Sequence, residues 1–261
     1  MAEAVARRLI DFRAKPVIFI HGANYRTAPE VMRDFVDPFS AAALPHCPKV
    51  CADSQVYIVH WTSDLMETLT ASRMVSLAFN LSEHISRSEL IAWRCSRKLA
   101  ENLATLFASH SKAPLFISHS MGALLLAHAL GRLVRSGRTV PVGTAWWSLQ
   151  PYLARDAYAC GSQFAFIPRL FTRRGGRHAV WYSKKDFILR AAASFGPRRT
   201  VMGLIGAQHA SVEATDTTAE TQEAHGSITL WSSKGNFFKR LEKMLRTEFA
   251  RFTAPEASAS A

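Results

Sequence analysis

Six short apolar runs recur along the chain, each ending in small or polar residues: Pro16–Ile20, Val56–Trp61, Pro114–Ile117, Val140–Leu149, His178–Tyr182 and Thr200–Ile205. Continuous apolar runs of this length, rich in β-branched and aromatic residues, predict strands buried on both faces. Pro141 weakens the first residues of the fourth run. Helical periodicity lies between the runs. Val31, Met32, Phe35 and Val36 place a helix within 29–39, and Leu90, Trp93, Leu99, Leu103 and Leu106 give one face of a long helix from Ser86 or Ser88 to His110. Further helices are expected after Ser120, over Phe187–Ser194 and over Asn236–Phe252. The apolar stretch Leu65–Ile85 reads as a core helix or a covering flap, and core is the reading taken.

Alternation of this kind implies an α/β fold, a mostly parallel central sheet with helices on both faces. Residues 1–252 read as a single domain, and the small, polar segment 253–261 as a disordered tail. With 48% hydrophobic residues the chain has material for one large core, yet no apolar run approaches the length of a membrane span. Only Leu9 and Ile10 follow the basic N-terminal residues before Asp11, too little for a secretory leader, so the expected location is cytoplasmic.

Charge and cysteines change the picture little. The net charge of +12 would draw in an anionic membrane surface, nucleic acid or an acidic substrate. A solvated basic surface explains it equally, and no nucleic-acid module is visible, so nucleic acid is not expected as a partner while peripheral contact with anionic lipid stays open. Cys47, Cys51, Cys95 and Cys160 are scattered, which suits a reducing compartment. His46, Cys47 and Cys51 lack a second ligand pair, so no metal is expected. No phosphate loop or dinucleotide fingerprint occurs, so no cofactor is expected either. The oligomeric state is not legible.

The candidate chemistry lies at Ser118-His119-Ser120-Met121-Gly122, where a strand runs into a helix with no loop between. Such a turn strains its central residue and pushes that side chain outward, which only small neighbours two positions away accommodate. Ser120 is therefore a candidate nucleophile, or simply the cap of the following helix. A serine hydroxyl needs an imidazole to take its proton, and the imidazole needs a carboxylate. Asp186, after the run ending at Tyr182, stands where the acid would be needed, although it could also cap the Phe187 helix. His209 and His225 both follow the presumed last strand. His225 is preferred because its loop has more reach, with His209 as the alternative. His21, His119 and His128 read as structural or supporting. Oxyanion donors are expected from the backbone N–H of Met121 and of Ala23, the latter just after the His21-Gly22 turn.

Together the His-Gly turn, the S-H-S-M-G elbow, the Ser183-Lys184-Lys185-Asp186 segment and the late His225-Gly226-Ser227 resemble the α/β-hydrolase superfamily. More narrowly they look like bacterial serine-esterase-like members, with Val59–Ser63 as the strand-to-tryptophan segment. Ser118 stands where the family motif usually has glycine. The resemblance covers about Pro16 to Phe252. It implies an eight-stranded-type sheet lacking its first one or two strands, with Ser120, Asp186 and His225 as the triad. It also implies hydrolysis of a small acyl ester (carboxylesterase or lipase-like) through an acyl-enzyme. A catalytically silent binding protein on the same fold, or an acyltransferase using the same triad, are the alternatives.

Overall fold

The computed structural model describes residues 15–23, 27–37, 54–61, 77–198, 200–221 and 225. Among the described residues six strands form one all-parallel sheet: β1 (Lys15–Ile20), β2 (Ser54–Val59), β3 (Leu115–His119), β4 (Ala145–Leu149), β5 (Arg177–Tyr182) and β6 (Glu213–Asp216). Their order is β2-β1-β3-β4-β5-β6, so the chain starts near one side, steps outward once, then crosses to the other. All strand C-termini lie along one edge, where Ile20 pairs with Ser118, His119 with Leu149, and Leu149 with Trp181. This is the parallel α/β sheet expected from the alternation of apolar runs and helical periodicity.

Both faces of the central strands are buried. Ile18, Ile20, Phe116, Trp146 and Val180 join the core under the helices, while Phe19, Ile117, Trp147 and Trp181 are buried on the opposite face. Apolar runs without alternation are what two covered faces require. On the first face lies α3 (Met121–Arg135), buried along almost its whole length and packed against α2 (Leu77–Ser109). The remaining helices are short. They comprise α1 (Ala28–Val31), which continues into a π-helical turn over Met32–Val36, then α4 (Phe166–Thr172), α5 (Phe187–Phe195), α6 (Met202–Ile205) and α7 (Thr218–Thr221). Thr27 caps α1 through a capping box with Glu30. No helix among the described residues is long and apolar enough to cross a membrane.

Four sequence expectations are corrected here. The long helix starts at Leu77 rather than at Ser86 or Ser88, and Ser88 is buried within it. Its buried stripe is Ile85, Ser88, Ala92, Ser96, Leu99 and Leu103, whereas Leu90 and Trp93 are nearly half exposed. Small residues line the stripe because α3 approaches closely, close enough for Arg132 Nε to donate to Ser96 Oγ at 2.8 Å.

The fourth strand begins at Ala145, not Val140, because Pro141 and Gly143 make a turn closed by Thr144 Oγ1 donating to the Pro141 carbonyl at 2.7 Å. Gly143 sits there at φ 79°.

Thr200–Ile205 is not the last strand. Val201 makes a single antiparallel bridge to Ala154, and α6 follows at once. Its backbone bonds go to loops: Met202 N to the Leu153 carbonyl, Gly203 N to that of Pro151, and Ser183 N to that of Gly203. A Cβ on Gly203 would stand 2.6 Å from the Gln150 carbonyl carbon, so glycine permits this approach. The sixth strand is instead Glu213-Ala214-Thr215-Asp216, exposed throughout. Ion pairs fasten it, Arg177 to Glu213 at one end and Lys184 to Asp216 at 2.7 Å at the other, which is why no apolar run announced it.

The aromatic stretch 152–171 packs into the core through Tyr152, Tyr158, Phe164, Ile167 and Phe171. The expected terminal helix 236–252, the tail 253–261, residues 65–76 of the apolar stretch and the Cys47/Cys51 pair lie outside the described residues.

Candidate active site

Ser120 sits at φ 50° and ψ −124°, a backbone conformation that costs a non-glycine residue of order 1–3 kcal/mol. Three hydrogen bonds hold it there. Its N–H donates to the Leu149 carbonyl at 3.1 Å, and its own carbonyl accepts from Ala123 at 3.1 Å and from Tyr152 at 3.0 Å. The side chain makes no cap to the helix it precedes, so the simple capping role considered from sequence is not the one it plays.

Space around the elbow explains its small residues. A Cβ on Gly122 would lie 2.3 Å from the His21 carbonyl oxygen and 2.5 Å from that of Ile20, so only glycine lets α3 start against the end of β1. Ser118 is fully buried, and its hydroxyl accepts from Trp146 Nε1 at 2.8 Å. The serine that stands in the glycine position of the motif thus has a partner of its own on β4.

At the same sheet edge, Asp186 is fully buried between β5 and α5. Its Oδ1 accepts from Leu189 N at 2.9 Å, and its Oδ2 lies 2.6 Å from His225 Nδ1. The cap weighed for this carboxylate from sequence is made by one oxygen, and the other faces the His225 imidazole. On its far side His225 places Nε2 2.9 Å from Ser120 Oγ. A proton on His225 Nδ1 donated to the carboxylate leaves Nε2 as the acceptor for the serine hydroxyl. His225 is buried, and Ser120 is 9% exposed.

The structure therefore brings Ser120, Asp186 and His225 together and leaves His209 out. His209 precedes β6, so it belongs to the edge where strands begin, and its Nδ1 accepts from Ser211 N at 3.1 Å. The misplaced last strand was the reason it had looked equivalent.

Met121 N, at the first position of α3, has no intrahelical acceptor because the first turn of any helix leaves its donors free. The other expected donor, Ala23, follows a turn built on a neutral imidazole. His21 Nδ1 donates to the Gly22 carbonyl at 2.6 Å, and Nε2 accepts from Trp61 N at 3.2 Å. Trp61 Nε1 returns a bond to the His21 carbonyl at 3.0 Å, and the two rings stack 5.7 Å apart. Burial lowers the His21 pKa to about 4, consistent with one nitrogen donating and the other accepting. A Cβ on Gly22 would meet Ser120 Cβ at 3.0 Å, so this turn abuts the elbow directly.

Two further buried residues lie beside these three: His119, which the sequence reads as structural or supporting, and Gln150, which carried no sequence signal. His119 is buried with its ring 4.9 Å from that of His225. Desolvation holds it neutral, well below the usual imidazole range. Gln150 is buried at φ 43°, a second strained non-glycine residue beside the first. Nothing in a Leu-Gln-Pro segment predicts that conformation.

No family model matches the chain, and no curated protein matches it. Among solved structures, it is similar to a thermostable esterase from Pseudomonas putida at 13% identity, covering 95% of this chain and 77% of that one, with a TM-score of 0.47. It is also similar to carboxyl esterase 2 from Tuber melanosporum (12% identity, 92% and 78% covered, TM-score 0.43). A third similar structure is the RedJ thioesterase of prodiginine biosynthesis from Streptomyces coelicolor (14%, 94% and 91%, 0.44).

Proposed function

We propose that the chain is a serine hydrolase of small carboxylic esters, working through an acyl-enzyme on Ser120, His225 and Asp186. Ser120 Oγ attacks the ester carbonyl carbon while His225 Nε2 takes the hydroxyl proton. Asp186 holds the imidazole in the required tautomer and balances the imidazolium charge. The carbonyl oxygen becomes an oxyanion and receives hydrogen bonds from the N–H groups of Met121 and Ala23. Collapse breaks the ester C–O bond, His225 returns the proton to the leaving alcohol, and the acyl group stays on Ser120. Water then repeats the sequence, with His225 again as base, and releases the carboxylic acid.

The observation carrying this reading is the unbroken line of contacts from Asp186 Oδ2 to His225 Nδ1 (2.6 Å) and from His225 Nε2 to Ser120 Oγ (2.9 Å). It is supported by the strained backbone at Ser120, which a mere helix cap would not need. A fluorophosphonate probe tests it. Wild type should label and Ser120→Ala should not, while equal labelling of both, or of neither, refutes the nucleophile. Turnover of p-nitrophenyl esters of increasing chain length, with and without an added alcohol acceptor, then separates hydrolysis from transfer and sizes the acyl site.

A further inference from the structure

A cavity of about 640 Å³ opens at the other end of the sheet, and none of Ser120, Asp186 and His225 lines it. Its position follows from the residues that frame it. Val134 is at the far end of α3 from the elbow, and Arg174 lies in the short turn between α4 and β5, with Nε donating to the Val140 carbonyl at 3.3 Å. Its wall is of two kinds. Phe166 and Leu170 of α4 supply apolar surface, and Arg169, Arg173, Arg174 and His209 supply donors. Neither Arg169 nor Arg173 has a carboxylate partner among the described residues, although a chain of this charge has every reason to pair its arginines or spread them apart. Tyr158 is also in the wall, and its buried hydroxyl has no hydrogen-bond partner among the described residues. A buried donor left unmade is costly.

We infer that this cavity is a second binding site, for an anionic amphiphile: an apolar body lying on Phe166 and Leu170, and an acidic head held by the guanidinium groups of Arg169 and Arg173. The volume lies within the range that encloses a small organic ligand. Arginine suits the head because its planar fork binds phosphate or carboxylate oxygens in pairs. An uncharged amphiphile leaves the guanidiniums unused, and a bare anion leaves the apolar wall wet.

Octyl phosphate below its micelle concentration is the probe, titrated calorimetrically into the full chain beside inorganic phosphate and octyl glucoside. One octyl phosphate should bind per chain, at least tenfold more tightly than inorganic phosphate, with no heat from the glucoside. Arg169→Gln/Arg173→Gln should weaken binding at least tenfold, and Ser120→Ala should leave it unchanged, which separates this site from the proposed esterase centre. Binding retained by the double variant, equal binding of the glucoside, or no binding by wild type each overturns the inference. If near-ultraviolet dichroism shows the double variant unfolded, Arg173→Gln alone, at an exposed position, carries the same test.

Discussion

Ser118 Oγ accepts a hydrogen bond from Trp146 Nε1 at 2.8 Å, between two fully buried side chains on neighbouring strands directly beneath the elbow. The departure from glycine at this position is thereby a structural exchange: a small side chain is kept, and an indole donor that would otherwise be buried unmade is satisfied. Ser118→Gly or Ser118→Ala should lower unfolding free energy by about 1–3 kcal/mol, the cost of stranding a buried donor. Urea denaturation measures it. With Trp146→Phe in the background, the further loss on Ser118→Ala should shrink, and the double-mutant cycle reports the coupling.

The divided carboxylate of Asp186 makes its own prediction. Asp186→Asn keeps an oxygen for Leu189 N but removes the charge that balances an imidazolium, so ester turnover should fall by roughly ten-thousand-fold with little change in melting temperature. Asp186→Ala should lose the same activity and also about 1 kcal/mol of stability, because the cap of α5 goes with it. Comparable melting temperatures for the two variants would contradict the shared role.

Two glycines on α3 provide a matched pair. At Gly122 an added Cβ meets backbone oxygens at 2.3 and 2.5 Å, and at Gly131 it meets nothing nearer than 3.5 Å. Gly122→Ala should separate α3 from the end of β1 and cost several kcal/mol, in the range of severe overpacking. Gly131→Ala should be neutral or stabilising by up to ~1 kcal/mol through helix propensity. Thermal melts of both variants suffice.

Buried neutral histidines set the acid limit. Burial lowers His21 to about 4 and His178 to about 3, while an unfolded histidine titrates near 6.5. Between those values the unfolded chain binds more protons than the folded one, so stability is complete above about pH 6.5 and falls as pH drops towards 4 and below. His21→Gln should flatten the upper part of that decline. A stability curve from urea melts between pH 4 and 8 reads it directly, and a level wild-type curve would contradict the assignment.

Which parts of this architecture could be read from the chain follows from how much of each signal is local. Strands β1, β3 and β5 declared themselves because both of their faces are buried, so each carries a run of apolar residues, while the edge strand β2 carries an apolar run although Val56 is 48% exposed. The elbow was legible because its requirement for small residues falls within five consecutive positions. The placing of Asp186 after β5 was likewise a matter of local order. By contrast, β6 is held by ion pairs and strand hydrogen bonding, with four exposed residues and no apolar pattern to find, while the apolar Val201–Ile205 segment owes its character to packing under loops. That exchange decided which of His209 and His225 lies at the edge of Ser120, since the edge a histidine occupies depends on which strand it precedes or follows. The coincidence of His225 with Asp186 and Ser120, 39 and 105 residues away, and the second strained residue at Gln150 were decided only in three dimensions, because hydrogen bonds between distant segments leave no periodicity in the chain.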